Sequence, residues 1–172
     1  MQERSGAITF QGNPLTLQGV ELKVGDTVPD VALLGNDLSP VQLSSYKGKV
    51  CVISVVPSLD TPVCDMQTRK FNEQAGSLDD NVAILTMSMD LPFAQARWCG
   101  AAGVEKVVTL SDHRDAAFGE AFGLLIKELR LLARAVLVVD KDGKIQYAQL
   151  VNEVTEEPDY NAALEAVKKL LA

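Results

Sequence analysis

Residues 49–67, KVCVISVVPSLDTPVCDMQ, join an apolar run to an amphipathic tail through two prolines. The run is nearly continuous and rich in valine, the pattern of a strand buried on both faces, and Pro57 ends it. From Pro62 the period changes. Cys64, Thr68, Phe71, Ala75 and Leu78 fall on one stripe, which predicts a helix over about residues 62–78. A buried strand passing directly into a helix is the unit of an α/β fold, and the remaining segments read around it.

Upstream, AITFQG and LTLQGV alternate apolar and polar residues around GNP, which predicts an N-terminal β-hairpin over about residues 7–20. Short strands are expected at residues 31–34 and near 41–43. Downstream, NVAILTMSM reads as a second buried strand. Asp90, Leu91 and Pro92 then open a helix that CGAAG closes. VVTLSD is a short strand, RDAAFGEAFGL a broken helix, and ARAVLVVDKDGKIQYAQLV two strands joined by KDGK. From Asp159, DYNAALEAVKKLLA is a capped amphipathic helix. No repeat or linker interrupts residues 1–172, so the expectation is one α/β domain with a mixed central sheet flanked by helices.

A net charge of -7 argues against binding a phosphate backbone. No segment offers the roughly eighteen apolar residues of a membrane span. The first residues, MQERSGAITFQGNP, have no apolar core of a secretory signal, so a cytoplasmic protein is expected. Cys51, Cys64 and Cys99 are too few and too oddly numbered for a disulfide framework. With no C-x-x-C and a single histidine, His113, a structural zinc site is not expected either. What remains is buried thiols or thiol chemistry.

Cys64 is the thiol whose placement invites chemistry. Thr61 precedes a proline and is pushed away from helical geometry, whereas Pro62 suits the first helical position. Thr61 is therefore the expected N-cap and Cys64 the third helical residue, among N–H groups that lack intrahelical partners and favour negative charge. The Thr61 hydroxyl is expected to reach the backbone N–H or the sulfur of Cys64. A helix end supplies only about 0.3–1 kcal/mol at exposed sites, against about 1.4 kcal/mol per pKa unit, so a reactive thiolate also requires a nearby cation. Lys127, Arg130 and Arg134 are the candidates, and an arginine entering a strand is ordinarily a solvated end. Position alone leaves packing and reactivity both open, since free cysteine is among the most buried residues.

Pro57, Thr61 and Cys64 spell P-x-x-x-T-x-x-C after a buried strand and at a helix start. This resembles the active-site motif of the peroxiredoxins, peroxidases of the thioredoxin fold. PSLDTPVC, RWCGAAG with Cys99 35 positions after Cys64, LLARAVLVVD and the N-terminal hairpin are together similar to the thiol peroxidase branch, across essentially the whole chain. The resemblance implies a thioredoxin-like fold in which Cys64 attacks a peroxide and becomes a sulfenic acid. Thr61 would orient the peroxide, Pro57 would shield the pocket from water, and Arg134 would be the cation beside the thiolate. Cys99 would resolve the sulfenic acid as an intramolecular Cys64–Cys99 disulfide, the pattern of an atypical two-cysteine peroxiredoxin, with thioredoxin as reductant. Hydrogen peroxide and organic hydroperoxides are the implied substrates, no haem, flavin or metal cofactor is implied, and a homodimer is the usual assembly. Cys51 matches no functional position and reads as core; Phe118 and Phe122, at i and i+4, also read as core, with a place lining the peroxide pocket left open for one of them. His113 and the acidic stretch EVTEEPD read as solvated loops. A non-catalytic redox sensor would use the same cysteine; a thioredoxin-type disulfide oxidoreductase is disfavoured by the missing C-x-x-C.

Overall fold

A computed structural model describes residues 1–75, 78, 80–103 and 106–172. The strands are β1 (Glu3–Phe10), β2 (Asn13–Gln18), β3 (Ala32–Leu34), β4 (Pro40–Gln42), β5 (Val50–Val55), β6 (Val82–Ser88), β7 (Val107–Ser111), β8 (Leu125–Ile126), β9 (Leu131–Leu132), β10 (Ala135–Val139) and β11 (Ile145–Leu150). The helices are α1 (Pro62–Ala75), α2 (Pro92–Ala102), α3 (Ala117–Ala121) and α4 (Tyr160–Leu171). The continuation of α1 expected toward Leu78 passes through Gly76 and Ser77, which lie outside the described residues, as does the Ala75 side chain. Among the described residues, no helix is long and apolar enough to cross a membrane.

The apolar run forms β5, and every one of its residues is buried. It lies near the middle of a seven-stranded sheet of order β11-β10-β5-β6-β7-β3-β4. β5, β6 and β7 are parallel, whereas β10, β11, β3 and β4 pair antiparallel with their neighbours. The sheet is thus mixed, as the sequence predicts. Alternation along β5 divides the core. Val50 and Val52 meet Phe71 of α1 and Ala163 and Val167 of α4, while Cys51, Ile53 and Val55 face the opposite layer. Asp159 caps α4 by accepting the Ala162 N–H at 3.0 Å.

That opposite layer is a second sheet, of order β1-β2-β8-β9. The predicted hairpin accounts for β1 and β2, with one correction. Its turn falls on Gln11 and Gly12, both at positive φ, whereas Asn13 and Pro14 belong to β2 and pair with Phe10 and Thr9. Two left-handed residues match the twist of a two-residue hairpin, and glycine supplies one of them without strain. β8 and β9 were not legible in the sequence, because two-residue strands carry no period. Their core residues Leu125, Ile126 and Leu132 join Leu17 beneath the large sheet.

The broken helix shrinks to one turn, α3, entered through a left-handed Ala116. Asp112 holds it, accepting N–H groups from Phe118 at 3.0 Å and Gly119 at 2.8 Å. Burial pushes the Asp112 carboxyl up to about 6, against the opposing pull of those two amides. The folded protein therefore holds this proton between about pH 4 and 6 where the unfolded chain releases it, and stability falls as pH rises through that window. We expect the stability advantage of wild type over Asp112→Asn to shrink between pH 4 and pH 6 in urea titrations; an advantage that grows with pH would contradict the burial account.

Candidate active site

The junction of β5 and α1 builds the site. The first α-helical bond runs from the Asp65 N–H to the Thr61 carbonyl at 2.9 Å, so Thr61 holds the N-cap position and Cys64 is the third helical residue, as expected. Among the described residues, the Val63 and Cys64 N–H groups have no protein acceptor. The Thr61 hydroxyl does not follow expectation. It donates to the Ser58 carbonyl at 3.1 Å, because Thr61 N–H also turns back to that carbonyl at 3.2 Å and closes a tight loop. Pro57 is buried directly after the strand, while Thr61 and Pro62 are exposed.

This loop is anchored from below by Asp90, at the end of β6. Its carboxylate accepts the Ser58 hydroxyl, the Leu59 N–H and the Ser88 hydroxyl, each at 2.8 Å. Asp90 thereby fixes the 57–61 turn instead of capping α2, which starts from Leu91.

The Cys64 side chain is fully buried against Val56 and Leu59, with Trp98 packed on the same cluster. Its sulfur faces Arg134 Nη2 at 3.1 Å. Arg134 is itself only 2% exposed, contrary to the reading of a strand-entry arginine as solvated. Its Nη1 donates to Gln67 Oε1 and its Nε to the Val154 carbonyl, both at 2.9 Å. Gln67 in turn donates to the Ser54 hydroxyl at 2.8 Å, tying α1 to β5. Of the other candidate cations, Lys127 pairs with Glu3 at 2.8 Å and Arg130 is exposed.

No carboxylate among the described residues pairs with Arg134. A buried guanidinium needs a counter-charge, and Cys64 is the neighbour within hydrogen-bond reach that can become an anion. At 3.1 Å a unit-charge pair is worth on the order of 5 kcal/mol at an effective dielectric of about 20, before desolvation. That outweighs the roughly 0.3–1 kcal/mol of a helix end. The geometry suits an arginine-stabilised thiolate.

The other cysteines separate cleanly. Cys51 is in the core beneath the second sheet, where burial pushes its thiol up to about 11. Cys99 is half-buried in the last turn of α2, which closes on a left-handed Gly103. Its sulfur lies 3.7 Å from Thr109 Oγ1, and Cys51, Cys64 and Cys99 are all free thiols. Phe118 and Phe122 stack in the core at 4.2 Å, and His113 is half-buried.

The sequence alone does not point to Gln67, Ser54, Asp90 or Val154 as site residues. Gln67 is visible one helical turn after Cys64, but its partner lies 67 residues away. The acidic stretch is largely exposed, as expected, but Glu153 also has a structural role. Glu153 accepts the hydroxyl and N–H of Thr155, the Gly12 N–H and the Thr9 hydroxyl, with the Thr155 hydroxyl the main reason its carboxyl falls to about 2. These bonds clip the stretch to the hairpin turn and leave the buried Val154 carbonyl facing Arg134.

Known proteins share this architecture. Residues 23–164 match the Redoxin family model. A thiol peroxidase of Bacillus subtilis is 60% identical over 164 residues, covering 95% of this chain and 98% of that protein. One from Halalkalibacterium halodurans is 59% identical over 165 residues, covering 96% and 99%. A peroxiredoxin-like protein from Aquifex aeolicus superposes with a TM-score of 0.89 at 44% identity, covering 97% of each chain. The chain belongs to the redoxin family, with a thioredoxin-like fold. Within that family it is a peroxiredoxin-type enzyme of the thiol peroxidase branch, acting on peroxides.

Replacing Arg134 by Gln should lower the thiolate absorbance of the reduced protein at neutral pH. It should also cost about 1–3 kcal/mol of stability for each buried acceptor left unpaired. An undiminished absorbance would show that Arg134 is not the counter-ion.

Proposed function

We propose that the protein reduces hydrogen peroxide and organic hydroperoxides through Cys64, and that the observation carrying this reading is the Arg134 guanidinium 3.1 Å from its sulfur with no competing carboxylate. The thiolate attacks the terminal peroxide oxygen. The O–O bond breaks, the leaving oxygen takes a proton to become an alcohol or water, and Cys64 becomes a sulfenic acid. The unpartnered Val63 and Cys64 N–H groups and the Arg134 Nη atoms are the donors available to the oxygens as charge moves between them. Thr61 orients the peroxide from the exposed rim of the loop, its hydroxyl leaving Ser58 to do so, and buried Pro57 excludes water from beneath.

Cys99 then resolves the sulfenic acid as an intramolecular disulfide. Thioredoxin's dithiol reduces it, returning both thiols within one 172-residue domain. Three cysteines, too few and too oddly numbered for a disulfide framework, suit a reducing compartment such as the cytoplasm. Leu91 and Phe93 are 51% and 67% exposed beside the loop that Asp90 anchors, and these apolar side chains support a homodimer whose surface adjoins the site.

Stopped-flow mixing with peroxide and a thioredoxin system tests the assignment. Cys64→Ser should abolish turnover, whereas Cys99→Ser should complete one rapid peroxide reduction and then stall. Multiple turnover by Cys64→Ser would overturn the role of Cys64; sustained thioredoxin-linked turnover by Cys99→Ser would overturn that of Cys99. Stoichiometric peroxide consumption by wild type would instead mark a redox sensor.

A further inference from the structure

The two cysteines have neighbours that are bonded to each other. Asp65 follows Cys64 in α1, Trp98 precedes Cys99 in α2, and the Trp98 indole donates to Asp65 Oδ1 at 2.8 Å. Arg69 completes the contact. Its Nε donates to Asp65 Oδ2 at 2.9 Å and its Nη1 to the Ala102 carbonyl at 3.4 Å, with the guanidinium 5.5 Å from the indole centroid. Trp98 also packs on the Val56, Leu59 and Cys64 cluster, so its ring occupies ground beside the Cys64 side chain.

Cys99 is held toward the sheet. Its sulfur meets Thr109 Oγ1 at 3.7 Å, and that hydroxyl donates to Asn36 Oδ1 at 3.0 Å. With its own proton committed to Asn36, the hydroxyl accepts from the Cys99 S–H. The rest of α2 is lightly anchored: its fully buried residues, Pro92 and Gln95, are both in the first half. The half carrying Cys99 is held by Trp98 and Ala102, both only partly buried where they pack on the core, and by the Ala102 carbonyl and Thr109 contacts. A segment with so few buried contacts opens at low free energy.

We propose that Asp65, Arg69 and Trp98 form a latch that closes the Cys99 half of α2 against α1, and that opening this latch sets the rate of disulfide formation. The proposal rests on the roles of Cys64 and Cys99 given above. In that step the Cys99 sulfur displaces hydroxide from the Cys64 sulfenic acid. An S–S bond forms, the S–O bond breaks, and the Cys99 proton leaves with the hydroxide as water. No outside oxidant is needed. For the sulfurs to meet, Cys99 must leave Thr109 and the indole must leave the Cys64 cluster, which breaks its bond to Asp65. Until then the sulfenic acid faces a second peroxide, which transfers its oxygen to give a sulfinic acid and an alcohol or water. The lifetime of the latch thus sets how much enzyme is lost to overoxidation. Asp65, Arg69 and Trp98 are positioning residues that act through Cys99.

The test mixes the reduced full-length protein rapidly with hydrogen peroxide. It follows fluorescence of Trp98, the single tryptophan, alongside disulfide content in acid-quenched samples. In Asp65→Ala the peroxide-dependent first phase should be unchanged, and the peroxide-independent second phase roughly ten-fold faster, the effect of losing a charge-assisted hydrogen bond. Asp65→Asn keeps an acceptor for the indole and should fall between Asp65→Ala and wild type, as should Arg69→Gln. The sulfinic acid fraction at Cys64 under excess peroxide, read by mass spectrometry, should decrease in the same order. Trp98→Phe, followed by quench alone, keeps a ring in place without the donor and should also resolve faster. Unchanged or slower second phases across these variants would overturn the latch while leaving the peroxidase reading intact. A shift in thermal midpoint alone, with no change in sulfinic acid yield, would overturn it too. Loss of the first phase in wild type would instead overturn the roles of Cys64 and Cys99 on which it rests.

Discussion

A buried guanidinium next to a sulfur organises this protein. Arg134 carries a full charge into the core at 2% exposure, and the described residues give it no carboxylate. Each feature around it meets a donor or supplies compensating charge. Gln67 on α1 takes one N–H and the Val154 carbonyl another, while a third faces Cys64. Removing any of these leaves a buried donor unpaired, so β10, α1 and the 152–154 stretch are tied to one geometry. The hairpin belongs to the same arrangement, since the Thr9, Gly12 and Glu153 bonds hold the stretch that presents Val154.

The two thiols of the proposed cycle have opposite surroundings. Cys64 stands in the first turn of α1, directly after a loop whose donors converge on the Asp90 carboxylate, and its sulfur faces the buried Arg134. Cys99 stands on a helix whose buried residues, Pro92 and Gln95, are in its first half and whose second half packs through the partly buried Trp98 and Ala102. In the proposed cycle one sulfur waits in a fixed field and the other travels, and a tightly bonded loop and a less deeply buried helix suit those two demands.

Periodicity made the central part of the fold legible. β5 and α1 announce themselves through a change of period at two prolines, and Asp159 marks the start of α4. Cys64 as third helical residue was readable because Thr61 and Pro62 each restrict their own backbone. Legibility ends where the deciding partner is remote or the element is too short. β8 and β9 have two residues each and exist because the hairpin needs an edge to pair with. Asp90 sits in sequence as a helix opener, but its partners are Ser58 and Leu59 of the 57–61 turn, more than 30 residues away. Glu153 looked solvated because acidic runs generally are; its acceptors are used by Thr9 and Gly12, more than 140 residues away in sequence.

The sequence by itself determined the strand-to-helix junction, the helix start that frames Cys64, and the motif spacing by which the chain resembles thiol peroxidases. These depend on residues within a few positions of one another, where backbone sterics and side-chain period act directly. The family resemblance singles out Arg134 among three cations, but only the tertiary structure shows it facing the sulfur. Lys127, Arg130 and Arg134 are equivalent as charges along the chain, and burial separates them. Arg134 alone of the three enters the core, because β10 pairs with β5 and delivers it beneath the first turn of α1. Electrostatic strength depends on distance and on exclusion of water, and neither is written in sequence order.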